Sequence, residues 1–245
     1  MNLKKTIIIL PFLILVGCST PIQTAKTADT HFREGEDFYT SRRYEDAIAE
    51  WKKVRETFTS PELTTLVDLK IADAYFENGN YIEAAAAYED FRKLHPNHAK
   101  AAYAYYRLAL CYYNQINGVD TDQAPVKSAV SFLESFIKTY PDSEYVKDAK
   151  AKLADSISKQ SQHEIYVGRF YFRAGKYEAA IKRLEEALDK YPKAENSDEA
   201  LFYIGKAYFL TGNKEKGKEA FNKLSKQYVS SKYIEEARKV MEKYY

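Results

Sequence analysis

Cysteine is nearly absent: two in 245 residues exclude a disulfide framework, and four histidines leave little from which to build a metal centre. Glycine and proline are also sparse, nine and seven, which argues against a turn-rich sheet protein and against a low-complexity chain. There is no Gly-rich phosphate loop, nucleophile elbow or zinc-protease helix. Net charge is small as well. The formal value is +2, and Lys4 and Lys5, the only charges before Cys18, supply both; without them 35 cationic side chains face 35 anionic ones. That balance gives no general reason to expect nucleic-acid binding.

What is abundant is tyrosine, 22 residues, with 13 phenylalanines. They recur with a period. In Val167 to Pro192, VGRFYFRAGKYEAAIKRLEEALDKYP, an aromatic first arm leads through Ala174-Gly175-Lys176 to a second arm that ends at proline. Glycine suits the left-handed position past a helix end, and proline cannot continue a helix. The first small residue of such a unit occurs at Gly35, Ala72, Ala109, Gly168 and Gly205, with steps of 37, 37, 59 and 37. A second small residue occurs at Ala47, Ala84, Ala129, Ala180 and Gly217, and the first-arm aromatic at Phe38, Tyr75, Tyr112, Tyr171 and Tyr208. Small residues let two helices approach, so Ala84 and Ala180 are expected to face a partner helix. A self-similar helix-turn-helix of this length predicts an all-α tetratricopeptide-repeat (TPR) solenoid of about five repeats.

Four segments follow. Residues 1–17 read as a lipoprotein signal: Lys4-Lys5, an apolar run from Ile7, then Leu15-Val16-Gly17-Cys18, which resembles a bacterial lipobox. Cleavage there would leave Cys18 carrying S-diacylglyceryl and N-acyl groups, and two or more acyl chains anchor stably. Ser19 resembles outer-membrane sorting. An ordinary signal peptide or uncleaved anchor is the alternative. Residues 18–30 read as a lipidated tether. Residues 31–141 read as an N-terminal arm of three repeats; Arg42-Arg43 takes the place of the turn glycine in the first, and the third carries an insertion of about eight residues within Gln115 to Pro125. Residues 142–245 hold a lengthened or extra helix, repeats four and five, and a capping helix with Ile234, Ala237, Val240 and Met241 on one face.

No catalytic residues are expected. His95-Pro96-Asn97-His98 is interrupted by proline, His163-Glu164 reads as a structural or interface pair, and Glu185-Glu186 and Glu235-Glu236 fall on solvated faces. Cys111, beside Tyr112, is expected to be a buried small residue. In TPR arrays the first arms line the concave face. The position after each register aromatic, and the one six before it, then point into a groove: Phe32 and Tyr39, Leu69 and Phe76, Tyr106 and Tyr113. Large aromatic groups give contact area at low entropic cost, so this row is a candidate substrate surface.

The lipobox, the five units, LHPNHAKAAYAYYRLALCYY, the insertion with Asp120, Asp122 and Gln123, and HEIYVGRFYFRAGKYEAAIKR occur together. In combination they resemble the BamD family, TPR lipoproteins of the outer-membrane β-barrel assembly machinery of Gram-negative bacteria. The resemblance implies a non-enzymatic scaffold at the periplasmic face of the outer membrane, with no cofactor beyond the lipid on Cys18. Implied partners are the assembly pore protein, through its periplasmic domains, unfolded outer-membrane proteins and other assembly lipoproteins. The C-terminal arm is the expected dock for the pore, with Arg169, Arg173, Lys206 and Arg238 offered for charged contacts. A different envelope TPR lipoprotein, an adaptor for cell-wall synthesis, division or secretion, is the competing reading, and an enzyme-regulating or lipid-carrier role a third.

Overall fold

The structure is a computed structural model and describes residues 26–57, 60–192, 194 and 196–244. Cys18 and most of the tether lie outside the described residues. Eleven helices follow one another among these residues: α1 Ala28–Thr40, α2 Tyr44–Glu56, α3 Pro61–Glu77, α4 Tyr81–Leu94, α5 Ala101–Asn114, α6 Ala124–Thr139, α7 Val146–Arg173, α8 Tyr177–Lys190, α9 Ser197–Leu210, α10 Lys214–Gln227 and α11 Ile234–Tyr244. Each packs chiefly on the next in sequence, and α5 on α7, α7 on α9 and α9 on α11 also touch. Five antiparallel pairs and a final single helix therefore form the expected TPR solenoid, whose odd-numbered helices make one continuous row.

Turn chemistry sets the pairs. Gly79, Gly175 and Gly212 hold the left-handed position at φ of 80°, 73° and 85° in the second, fourth and fifth repeats. In the first repeat Arg42 adopts φ 59° at that place, so the bend forms without glycine and the strain falls on an arginine. Pro96, Pro141 and Pro192 follow the last residues of α4, α6 and α8, as a chain that must leave the helix requires. Ser60 caps α3 by accepting from the Leu63 N–H at 3.2 Å, with Pro61 in the first turn, where its missing N–H costs nothing.

In four of the five pairs the small first-arm residue faces a large one sixteen positions on; the insertion breaks this spacing in the third. A methyl group added to Gly35 would stand 2.3 Å from the Trp51 indole, at Gly168 2.4 Å from Leu184, and at Gly205 2.5 Å from Phe221. Ala72 and Tyr88 keep the same spacing and are both fully buried. Ala84 and Ala180 are buried too. Cys111 is sealed in the core formed by α3 to α7, and burial pushes its thiol up to about 12, so it is no thiolate at neutral pH.

The 59-residue step between the third and fourth repeats is resolved as one lengthened helix rather than a separate one. α7 runs for 28 residues, twice the length of α8. Ala149 and Leu153 in its first half join the core of α3 to α6, while Ile165 in its second half joins that of α8 to α10. The insertion spans the chain between α5 and α6, and its Val119 carbonyl accepts a hydrogen bond from His163 Nδ1 at 2.5 Å. The final helix α11 buries Ala237 and lays Ile234, Val240 and Met241 against Phe202, Phe209 and Phe221.

Arg42→Gly is expected to raise stability by about 0.5–1 kcal/mol, because relief of the left-handed strain exceeds the added freedom of the unfolded chain. Gly175→Ala, with open space around it, is expected to lower stability by about 1 kcal/mol from φ alone. Urea midpoints of the two variants check both signs.

Candidate partner-binding surfaces

The row of odd-numbered helices carries the six residues expected to line a groove, and their surroundings differ. Phe32, Tyr39, Phe76 and Tyr113 are half-buried, whereas Leu69 and Tyr106 are buried. Leu69 packs inside the core of the second and third repeats. Tyr106 stacks flat on Tyr145 with ring centroids 4.9 Å apart, and its hydroxyl donates to Asp148 of α7. These two are core residues and leave the groove assignment. The physical reason is that neighbouring first arms lie side by side, so a position pointing away from its own second arm can meet the next first arm instead of water.

Phe32, Phe76 and Tyr113 are partly roofed by the next first arm, and Tyr39 packs on its own second arm. The Arg107 guanidinium lies 3.7 Å over the Phe76 ring, and Lys152 Nζ lies 4.6 Å over the Tyr113 ring, whose hydroxyl donates to Asp155 at 2.8 Å. Tyr39 sits edge-on to Tyr44 at 5.4 Å and tilted against Trp51 at 5.7 Å. The Trp51 indole N–H donates to the Phe32 carbonyl at 3.3 Å, and Lys70 Nζ lies 5.9 Å over the Phe32 ring.

A polar joint replaces the open aromatic row between α3 and α5. Asp73 accepts from the Tyr88 hydroxyl at 2.5 Å and the Tyr103 hydroxyl at 2.8 Å, while Arg107 donates to Tyr88 at 3.1 Å and to Glu77 at 2.7 Å. Burial pushes the Asp73 carboxyl above its usual range, against the two phenols and Arg107, which favour its charge. Burial and the Asp73 charge push Tyr88 and Tyr103 upward in turn, so both remain donors.

The second joint lies at α7. His163 holds the insertion loop, Glu164 pairs with Arg183 of α8 at 2.7 Å, and Arg169 pairs with Glu199 of α9 at 2.7 Å. The two stretches that set this chain apart from a generic repeat are thus its inter-repeat joints. Of the four cations expected to face a partner, three have internal contacts: Arg169 in that pair, Arg238 with Glu235 at 2.9 Å, and Lys206 with Nζ 5.8 Å over Phe172 and 5.4 Å over Phe202. Arg173 is exposed at the end of α7.

Sequence spacing gave no hint of one further cluster. Among the described residues, His31, Glu34 and Glu50 bring possible metal ligands together across the first helix pair. Their oxygens are already engaged: Glu50 by His31 Nδ1 and Lys53 Nζ, each at 2.6 Å, and Glu34 by Lys26 Nζ at 2.6 Å. His95 and His98 pack against Phe91 at 5.2 and 5.3 Å.

A family model described as YfiO, outer membrane lipoprotein, matches residues 24–220, which takes in both joints and nearly all of the five helix pairs. The chain belongs to this family. A relative from Rickettsia prowazekii named outer membrane protein assembly factor BamD is 29% identical over 235 residues, 95% of this chain and 94% of that protein. Proteins of the same name from Caulobacter vibrioides and Neisseria meningitidis serogroup A are 28% and 24% identical, covering 83% and 84% of this chain and 69% and 81% of theirs. Among solved structures, the TPR2AB-domain:pHSP90-complex of yeast Sti1 has a TM-score of 0.41 at 15% identity, covering 89% of this chain and 97% of that one. The repeat assignment for this YfiO-family chain stands on its own five helix pairs.

Because the folded Asp73 pKa lies above the 3.8 of an unhindered aspartate, the folded state holds its proton to higher pH than the unfolded chain. This group therefore lowers stability as pH rises from about 4 through its folded pKa. Asp73→Asn is expected to remove that part of the pH dependence, and urea titrations of wild type and variant across pH 4–7 measure it. Tyr103→Phe, which takes a donor from the buried carboxylate, is expected to cost about 1–3 kcal/mol at pH 7.

Proposed function

We propose that this chain is the TPR scaffold of an outer-membrane protein assembly complex. It would be held at the periplasmic face of the outer membrane by lipid on Cys18 and act by binding rather than by catalysis. The observation that carries the reading is the extent of the family match: it covers the repeat array from before α1 into α10, and relatives named as assembly factors align over most of their own length. An array of helix pairs joined by ion pairs and phenol–carboxylate bonds holds several surfaces at fixed separations, which suits a scaffold.

In this reading the C-terminal arm receives the periplasmic domains of the assembly pore. Arg173 is the cation best placed for it, since Arg169, Lys206 and Arg238 are occupied within the chain. Unfolded barrel proteins meet the half-buried edges of Phe32, Tyr39, Phe76 and Tyr113. Other assembly lipoproteins remain candidate partners for the outer faces of the even-numbered helices.

Depletion of the chain in cells is expected to lower the level of barrel proteins in the outer membrane while inner-membrane proteins stay constant; unchanged barrel levels would contradict the proposal. Cys18→Ser is expected to block palmitate labelling and leave the precursor uncleaved. Arg173→Glu is expected to weaken co-purification of the pore protein at low salt, whereas Arg169→Glu should first lower the melting temperature, because it breaks the pair with Glu199.

A further inference from the structure

Among the described residues, no helix packs on the N-terminal part of one face of the lengthened helix. In the second half of α7, Ile165 and Gly168 mark the side that seats the α8 and α9 layer. At helical spacing that side continues toward the N-terminus as Ser161, Ser158, Ile157, Ala154, Lys150 and Lys147. α8 ends at Lys190 and the chain turns off at Pro192, so the stripe runs on beyond it. Where the two helices converge, a cleft of about 320 Å³ is lined by Ala154, Ile157, Ser158 and Ser161 on one side and Lys190, Tyr191 and Pro192 on the other. Exposure falls steadily into it, from Lys147, Lys150 and Ala154 in the open, through Ile157 and Ser158, to Ser161 at 1%.

Two further observations point to an occupant. The Ser161 hydroxyl is buried against the cleft with no hydrogen-bond partner among the described residues, although Ser156, in the same helix, donates to the Lys152 carbonyl at 2.8 Å. A buried unpaired hydroxyl is costly unless something completes it. The second is charge. Asp148 and Asp155 of this stretch are turned to Tyr106 and Tyr113 of α5, which leaves Lys147 and Lys150 on the open face, with Lys190 across the cleft, its Nζ 5.1 Å over the Tyr191 ring. Asp189 of α8 lines a different cleft, toward Tyr208 and Asn213, and Glu164 of α7, whose charge acts on Lys190, is already paired with Arg183.

We propose that this stripe is a docking site for an acidic amphipathic helix of a partner protein, laid along α7 where α8 stops. The small side chains of Ala151, Ala154, Ser158 and Ser161 recur at helix spacing and permit close approach of a helix, as Gly35, Gly168 and Gly205 do within their pairs. The partner's apolar edge fills the cleft beside Ile157 and Pro192, a polar group on it completes Ser161, and its carboxylates meet Lys147, Lys150 and Lys190. Charge at such a rim governs encounter rate and register more than total affinity.

Site-specific photocrosslinking in intact cells tests this, with benzoylphenylalanine at Ala154 and, as a control, at Ala179 on the exposed side of α8. The expected product is an adduct at position 154 to a segment of another protein that mass spectrometry maps as net acidic, with apolar residues three and four apart. Lys147→Glu with Lys150→Glu is expected to cut its yield by about tenfold without lowering the melting temperature. Ser161→Ala is expected to raise the melting temperature of the purified chain, by removing an unpaired hydroxyl, and still lower the yield. The proposal is overturned by no adduct above the Ala179 control, by adducts to phospholipid or to a second copy of the chain, by a neutral or basic segment, or by a yield that the lysine reversals leave unchanged.

Discussion

A missing side chain opposite a large one is the contact on which the array depends. Gly35, Gly168 and Gly205 each lie where even a methyl group would enter Trp51, Leu184 or Phe221. The distance in sequence is the same in these three pairs, which suits stacking of one pair on the next. Ala72 and Tyr88, at the same spacing and both fully buried, show that alanine also serves at this position. Apolar burial supplies most of the stabilisation, while these slots decide which geometry that burial takes.

Between pairs the work passes to polar joints. The charged and phenolic contacts at Asp73, Arg107 and Glu77, and at His163 and Arg169, hold first arms in register, where exposed ion pairs alone would contribute little. Burial makes the Asp73 contacts stronger and less forgiving, since a lost donor leaves a carboxylate stranded. α7 is the exception to stacking by short pairs. Being twice the length of α8, it serves as the closing helix of one stack and the opening helix of another, and it exposes a cationic stripe that no short repeat would. A scaffold for assembling other proteins gains separate surfaces in this way without changing its repeat.

Local periodicity made the helix pairs, the turn glycines, the buried Ala84, Ala180 and Cys111, and the capping face of α11 legible before any coordinates. Each follows from spacing within one repeat. What lay between repeats was not legible. Residues 142–162 are helical in composition whether they form one helix or two, and continuity of α7 depends on how α5 and α6 pack on it. Tyr106 and Leu69 were misplaced for the same reason: the approach of adjacent first arms is set by the superhelix, and the partner of Tyr106, Asp148, sits in the segment the repeat period does not cover. The His31–Glu50 contact bridges α1 and α2 with no motif to announce it. Family resemblance pointed to the right stretches around His95 and His163, and the structure gives their physical meaning as joints.

A double-mutant cycle at Gly168 and Leu184 tests the slot most directly. Gly168→Ala alone is expected to cost about 1–3 kcal/mol from overpacking, and Leu184→Ala alone about 2–5 kcal/mol from the cavity it leaves. Together they should cost less than their sum by about 0.5–3 kcal/mol, because the alanine methyl enters the space the leucine vacates. Strict additivity in urea denaturation would mean that the two side chains do not share that space, and the account of how this array is built would be wrong.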